Sequence, residues 1–290
     1  MPLSPQTLTG LSEIAPRYRG VICDVWGVVH NGRRLYPGAA QALGELRRSI
    51  GPVVLLSNAP KSARSIAARL TQMGLDEAAY DRILTSGSMV RDVLRRHEGP
   101  VRVLFVGTDD DRDLLRDVDV DLTDDPARAE VFLVCGFTPA IGPSAADYGD
   151  LLGGAAAHGL VMICANPDRW APSGDRLAPC AGLLADAYEA QGGAVRRYGK
   201  PFPEAFGAAL TALETAVGRP IAKPHVLVIG DGMETDIAGA ARMGMDSVLI
   251  ESGLHAVDFG ADAAGDGEAR WARHGARPTY TMDHLCWTPA

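Results

Sequence analysis

The sequence predicts an α/β protein in which a parallel-sheet core domain carries a second, inserted α/β domain. Two observations predict it. Four short apolar runs, at 21–24, 53–58, 226–231 and 247–252, end in small or polar residues and are followed by helix-compatible segments, the rhythm of parallel strands with crossover helices. A second set of runs, at 101–107, 131–136 and 160–166, lies between them and alternates with helical stretches such as 86–97 and 145–157. A chain of 290 residues is long enough for two domains with a core each. The polar strand ends sort the runs: Asp24, Ser57 with Asn58, and Gly230 with Asp231 all stand where a strand stops, and an open α/β sheet binds ligands outside those carboxyl ends. Residues 1–85 and 186–290 therefore read as one core domain and 86–185 as the insertion.

Composition removes several classes. With 47% hydrophobic and 22% charged residues the chain is not disordered. A net charge of −8 and a pI near 5.4 argue against a nucleic-acid partner, because affinity for a phosphate backbone rests on basic charge. Any phosphate bound here has to be held locally. The longest apolar stretch, 151–165, falls short of the ~18 residues of a membrane span and is interrupted by His158. The first twenty residues contain prolines and Glu13 but no apolar h-region, so no secretory signal is expected. Cys23, Cys135, Cys164, Cys180 and Cys286 form no CxxC pair, which favours a reducing cytoplasm. The oligomeric state is left open, a homo-oligomer included.

The elements that could carry chemistry follow in chain order. In VICDVWGVVHNG, 21–32, Asp24 comes directly after apolar strand residues, where an unpartnered buried carboxylate is costly. It faces either a site or the turn that it caps. Gly27 lets the backbone fold tightly over whatever Asp24 faces. In VVLLSNAP, 53–60, Ser57 and Asn58 offer hydroxyl, amide and backbone donors to an anion at the start of a helix expected near Ser62; the same residue types also serve as ordinary turn and cap residues. Lys200, in RRYGKPFPEAF, is one of only three lysines, with Lys61 and Lys223, against 25 arginines. A compact point charge at a loop-to-helix boundary fixed by Gly199 and Pro201 is one reading, and a solvated surface charge the other. In HVLVIGDGMETDIAGAARMGM, 225–245, Asp231 ends a strand and Asp236 stands at the expected start of a helix with Thr235 as its cap. If the two carboxylates converge they need a cation, and hard oxygen ligands suit Mg²⁺. Otherwise they are helix N-terminal acids, and Glu234 is the solvated acid of the loop.

Together, in this order, these four signals resemble the haloacid dehalogenase superfamily, and within it the NagD-like branch, whose cap domain is inserted between the second and third motifs. Asp24 matches the nucleophile of the first motif, Ser57 with Asn58 the second, Lys200 the third, and Asp231 with Asp236 the fourth. CANPDRWAP, 164–172, is similar to the branch's Asn-Pro-Asp segment, and the likeness spans most of the chain. It implies a Rossmann-like parallel-sheet core, an α/β cap, and a Mg²⁺-dependent phosphohydrolase acting on a small phosphorylated metabolite through an aspartyl-phosphate. By the same resemblance Asp24 and Lys200 are the catalytic pair, while Ser57, Asn58 and Lys200 hold the phosphoryl group. Asp24, Asp231, Asp236 and the backbone carbonyl of Trp26 hold the metal.

One position departs from the pattern. Phosphatases of this kind carry an Asp two residues after the nucleophile as general acid and base; this chain has Trp26, whose indole N–H is not a useful acid. His30 is close enough in sequence to substitute, or is a histidine with no part in proton transfer. An aromatic residue there resembles the metal-independent carbon–halide hydrolases of the superfamily, which have little use for Asp231 and Asp236. A non-catalytic phospholigand-binding protein is a third reading. No GxSxG, Walker A or HExxH motif competes. Substrate choice is expected of the cap, with Asn166, Asp168, Arg169 and Trp170 either lining the mouth of the site or simply forming the return turn.

Overall fold

The computed structural model describes residues 4–173, 176–253 and 274–288. The chain begins with β1 (Gln6–Thr7), β2 (Gly20–Cys23), α1 (Ala39–Ser49), β3 (Val53–Ser57), α2 (Ala63–Gln72) and β4 (Arg82–Thr85). Next come α3 (Ser86–Leu94), β5 (Val101–Val106), β6 (Val120–Thr123), β7 (Val131–Val134), α4 (Gly149–Ala157), β8 (Val161–Cys164), β9 (Trp170–Ser173), β10 (Arg176–Pro179), α5 (Ala181–Ala190) and β11 (Ala194–Arg197). It returns through α6 (Pro203–Val217), β12 (Val226–Gly230), α7 (Ala238–Met243), β13 (Asp246–Ile250) and β14 (Tyr280–Met282).

The first and last groups of strands form one seven-stranded parallel sheet in the order β1-β14-β13-β12-β2-β3-β4. Its central strands β2, β3 and β12 are buried on both faces, and alternate residues serve opposite cores. Val21, Cys23, Val53, Leu55, Leu227 and Ile229 face Leu43 and Leu46 of α1. Ile22, Val54, Leu56, Val226 and Val228 face Phe206 and Leu213 of α6. Strand order reverses between β2 and β12, so the crevice of an open sheet falls at their carboxyl ends. The parallel register, with Ile229 opposite Cys23 and Cys23 opposite Leu55, brings Asp24, Asp231 and Ser57 there within one residue of level.

The insertion has a sheet of its own, parallel throughout, in the order β11-β8-β7-β5-β6, with β9 and β10 as a separate antiparallel hairpin. Val90 and Leu94 of α3 pack on one face of the five-stranded sheet and Leu152, Leu184 and Tyr188 of α4 and α5 on the other. The boundary expected at 185 falls inside α5, and β11 hydrogen-bonds to β8, so the inserted fold continues to Arg197. The reason is that AVRR, two apolar residues followed by two arginines at a sheet edge, lacks the alternation of a strand and carries little strand signal of its own. The chain leaves and re-enters the core at adjacent points: a Cβ on Gly199 would lie 3.2 Å from the Cβ of Ser86. All five cysteines are free. Among the described residues no helix is long and apolar enough to cross a membrane.

Candidate active site

Asp24 follows β2, Asp231 follows β12, and Lys200 lies in the loop between β11 and α6; all three point into the crevice with Asp236, and none is more than 6% exposed. Lys200 Nζ donates to Asp24 Oδ1 at 2.5 Å and to Asp236 Oδ1 at 2.9 Å. One carboxylate oxygen from each of Asp24, Asp231 and Asp236 lies within 4.8 Å of the others. Burial opposes the charge of Lys200, yet the carboxylates of Asp236 and Asp24 raise its pKa and keep it an ammonium. Burial pushes Asp24 up to about 7; Lys200 works against that shift and Asp236 adds to it.

Glycines make the convergence sterically feasible. Gly27 has φ +84°, and a Cβ there would sit 1.9 Å from Asp231 Oδ2. A Cβ on Gly230 would sit 2.1 Å from Asp236 Cγ. Asp236 is not at the start of an ordinary helix. Residues Met233–Ile237 form a π-helical turn ahead of α7, in which Ile237 N–H reaches Gly232 O at 3.1 Å. The wider turn is a common device at functional sites and sets the carboxylate against Lys200. Thr235 donates its hydroxyl to Asp236 Oδ2 at 3.2 Å instead of capping the helix, and Glu234 is exposed.

Ser57 is buried, and its Oγ accepts from Ala59 N–H at 3.2 Å. Asn58 differs from expectation. Its Oδ1 accepts from Lys200 N–H at 2.7 Å, while its Nδ2 donates to Lys200 O at 3.1 Å and to Asp168 Oδ1 at 2.8 Å. With both amide ends engaged, this side chain grips the Lys200 peptide instead of facing an anion. The sequence gives no sign of this link, because the partners are 142 residues apart.

Over these groups lies a cavity of about 310 Å³ whose lining includes Trp26, His30, Lys61, Ile66, Asn166, Asp168 and Trp170. Arg169 turns away from it to pair with Asp186 at 2.6 Å. The Trp26 ring stands edge-on to His30 with centroids 4.9 Å apart, lies 5.7 Å from the Arg69 guanidinium carbon, and buries its Nε1 without a hydrogen-bond partner. His30 Nδ1 accepts from Gly32 N–H at 2.8 Å; burial, with Arg69 nearby, holds the ring's pKa down to about 4. An imidazole in that state is uncharged near neutrality and has no imidazolium proton to give. Asp168, carried by the insertion, is pushed up by burial, against the hydrogen bond from Asn58.

Residues 21–121 match the family model described as haloacid dehalogenase-like hydrolase, and 197–287 match a second model of that kind. Dihydroxyacetone phosphatase of Corynebacterium glutamicum (strain R) is 30% identical over 275 residues, 92% of this chain and 90% of that protein. Ribonucleotide monophosphatase NagD of Escherichia coli (strain K12) is 29% identical over 254 residues, 83% and 90% of the two chains. The crystal structure of a haloacid dehalogenase-like hydrolase from Brucella suis 1330 is similar with a TM-score of 0.83 at 34% identity, covering 97% of this chain and 99% of that one.

Proposed function

The chain belongs to the haloacid dehalogenase-like hydrolases, in the NagD-like branch, and on that premise we propose that it is a phosphatase that transfers the phosphoryl group of a small metabolite to Asp24 and then to water. The observation that carries the reading is the buried Lys200 ammonium held between Asp24 and Asp236 with Asp231 beside them. The names of the relatives, a dihydroxyacetone phosphatase and a ribonucleotide monophosphatase, point to the same class.

The residues present suit a divalent cation. Three buried carboxylates face one ammonium, an excess of negative charge that burial makes costly, and their hard oxygen donors match Mg²⁺. Asp24, Asp231, Asp236 and the backbone carbonyl of Trp26 would hold it. When bound, the cation supplies positive charge opposite the oxygens of the transferring group.

In the proposed reaction an Asp24 carboxylate oxygen attacks phosphorus, the bond to the leaving oxygen breaks, and water then displaces the carboxylate to release inorganic phosphate. Lys200 sets the Asp24 carboxylate and offsets charge on the phosphoryl oxygens. Ser57 and the backbone that follows it orient that group, while Asn58 fixes Lys200. Carbon–halide hydrolysis is less well supported, since it leaves Asp231 and Asp236 without a role.

Acid-quenched single turnover with labelled phosphate ester is expected to trap label on Asp24. Asp24→Asn, whose amide cannot attack phosphorus, should give neither label nor turnover; wild-type kcat in that variant would overturn the reading. Chelation should abolish turnover and Mg²⁺ restore it.

A further inference from the structure

We propose that the phosphoryl group arrives on an acidic hydroxyl borne by a flat, conjugated, largely apolar body: an aryl or enol phosphate, in preference to an alkyl or sugar phosphate. The inference rests on the phosphatase reading above, and two observations carry it.

The first is the chemistry of the cavity walls. Away from the charged floor, Trp26, Pro60, Ile66 and Trp170 present apolar and aromatic surface. The Lys61, Arg69, His30 and Asn166 side chains among them each have a protein partner, while the Trp26 Nε1 has none. Lys61 Nζ pairs with Asp111 Oδ1 at 2.9 Å, and an Arg69 N–H donates to Gly32 O at 2.6 Å. His30 Nδ1 accepts from Gly32 N–H at 2.8 Å, and Asn166 Oδ1 accepts from Asp168 N–H at 3.2 Å. A polyhydroxylated leaving group would bury hydroxyls against the apolar faces of Trp26, Pro60, Ile66 and Trp170, which offer them no hydrogen bond, and that is unfavourable. A flat apolar one would lie against the two indoles.

The second is the route of the leaving oxygen's proton. The position two residues after Asp24 holds an indole, and its Nε1 is buried without a partner. Lys200 is engaged by Asp24 and Asp236, and Asp168 Oδ1 accepts from Asn58. As the bond from Asp24 to phosphorus forms and the ester bond breaks, the leaving oxygen keeps the electron pair. It departs as an oxyanion and takes its proton from water afterwards. Aryl and enol oxygens stabilise that charge by conjugation, whereas an alkoxide does not. Trp26 thus removes the acid and supplies one of the flat faces.

The test is kcat/KM of the Mg²⁺-loaded enzyme over substituted phenyl phosphates, benzyl phosphate and dihydroxyacetone phosphate. Phenyl esters are expected to exceed both others by about 10²-fold or more, the typical cost of a missing general acid. Benzyl phosphate, similar in shape but an alkyl ester, should keep a comparable KM and lose kcat. Trp26→Asp should narrow the gap by at least about 10-fold by restoring an acid. Should that variant fold poorly, Trp170→Ala gives a second reading: Trp170 is 45% exposed on the hairpin, and its loss should lower the phenyl-to-dihydroxyacetone ratio about 2- to 10-fold. Equal rates for aryl and alkyl esters in the wild type would overturn the inference while leaving the phosphatase reading standing. So would a shallow dependence that steepens in Asp168→Asn. Failure of that reading looks different: no ester turns over, and no label reaches Asp24.

Discussion

Asn58 illustrates how a side chain can stand at a site and do other work than its position suggests. A Ser-Asn pair at a strand end reads as an anion cradle, but the amide holds the peptide of Lys200 from both sides and meets Asp168 of the insertion. Its contribution is therefore expected in the placement of the Lys200 ammonium. Asn58→Ala removes buried hydrogen bonds worth about 1–3 kcal/mol if left unmatched. We expect kcat to fall about 10- to 100-fold with a much smaller change in KM, measured by steady-state kinetics on phenyl phosphate; a rise in KM alone would mark Asn58 as a phosphate ligand. Asp24, Lys200 and Asp231 are legible because each is a charged residue at a strand end or beside glycine and proline, where burial without a purpose is costly, and Asp236 because it is a second acid at the expected helix start of the same loop. Asn58's grip and Asp168's reach are not, since a neutral amide and a distant acid leave no pattern in a single chain.

The strands that position the site are those with continuous apolar runs, and these could be read directly: β2, β3, β12 and β13 in the core, β5, β7 and β8 in the insertion. The edge and short strands could not. β4 begins with exposed Arg82, β6 alternates with polar residues on an open edge, and β11 is half arginine; each is a strand because a neighbour offers it a ladder, not because of its own composition. The start of α2 forms a second link between core and insertion. Ser62 caps it by accepting from Ser65 N–H at 3.1 Å, and the hydroxyls of Ser62 and Ser65 both donate to Asp113 Oδ2 at 2.7 Å. The hydrogen bond from Ser65 chiefly, and that from Ser62, lower the pKa of Asp113 against partial burial. A depressed carboxylate stabilises the folded contact above its ordinary pKa and loses that contribution as pH falls through the depressed value. Protection over 109–115, measured as exchange relative to the intrinsic rate at each pH, should thus fall below about pH 4. Asp113→Asn should show the faster exchange already at pH 7; exchange unchanged in both would exclude the link.

The whole molecule is two parallel-sheet units around one charged crevice, with the insertion closing over it through Asp168, Asp111 and Asp113. Closure would exclude water from the crevice, and the proposed reaction needs water only in its second step. We expect the insertion to move as a unit, so limited proteolysis should cut first near 85–86 and 198–199, and product-like phosphate with Mg²⁺ should slow both cuts together. Cleavage confined to the middle of the insertion would place the moving boundary elsewhere. The adjacency of Ser86 and Gly199 reaches further than hinging. A segment that departs and returns at one spot demands nothing of the surrounding sheet except two neighbouring attachment points. Asp24, Ser57, Lys200, Asp231 and Asp236 all lie outside it, whereas the cavity above them is walled by both units, with Trp26, Pro60 and Ile66 from the core and Asn166, Asp168 and Trp170 from the insertion. The same core could accept a differently shaped insert at that spot, changing one side of the cavity while the charged residues at the carboxyl edge of the sheet stayed as they are.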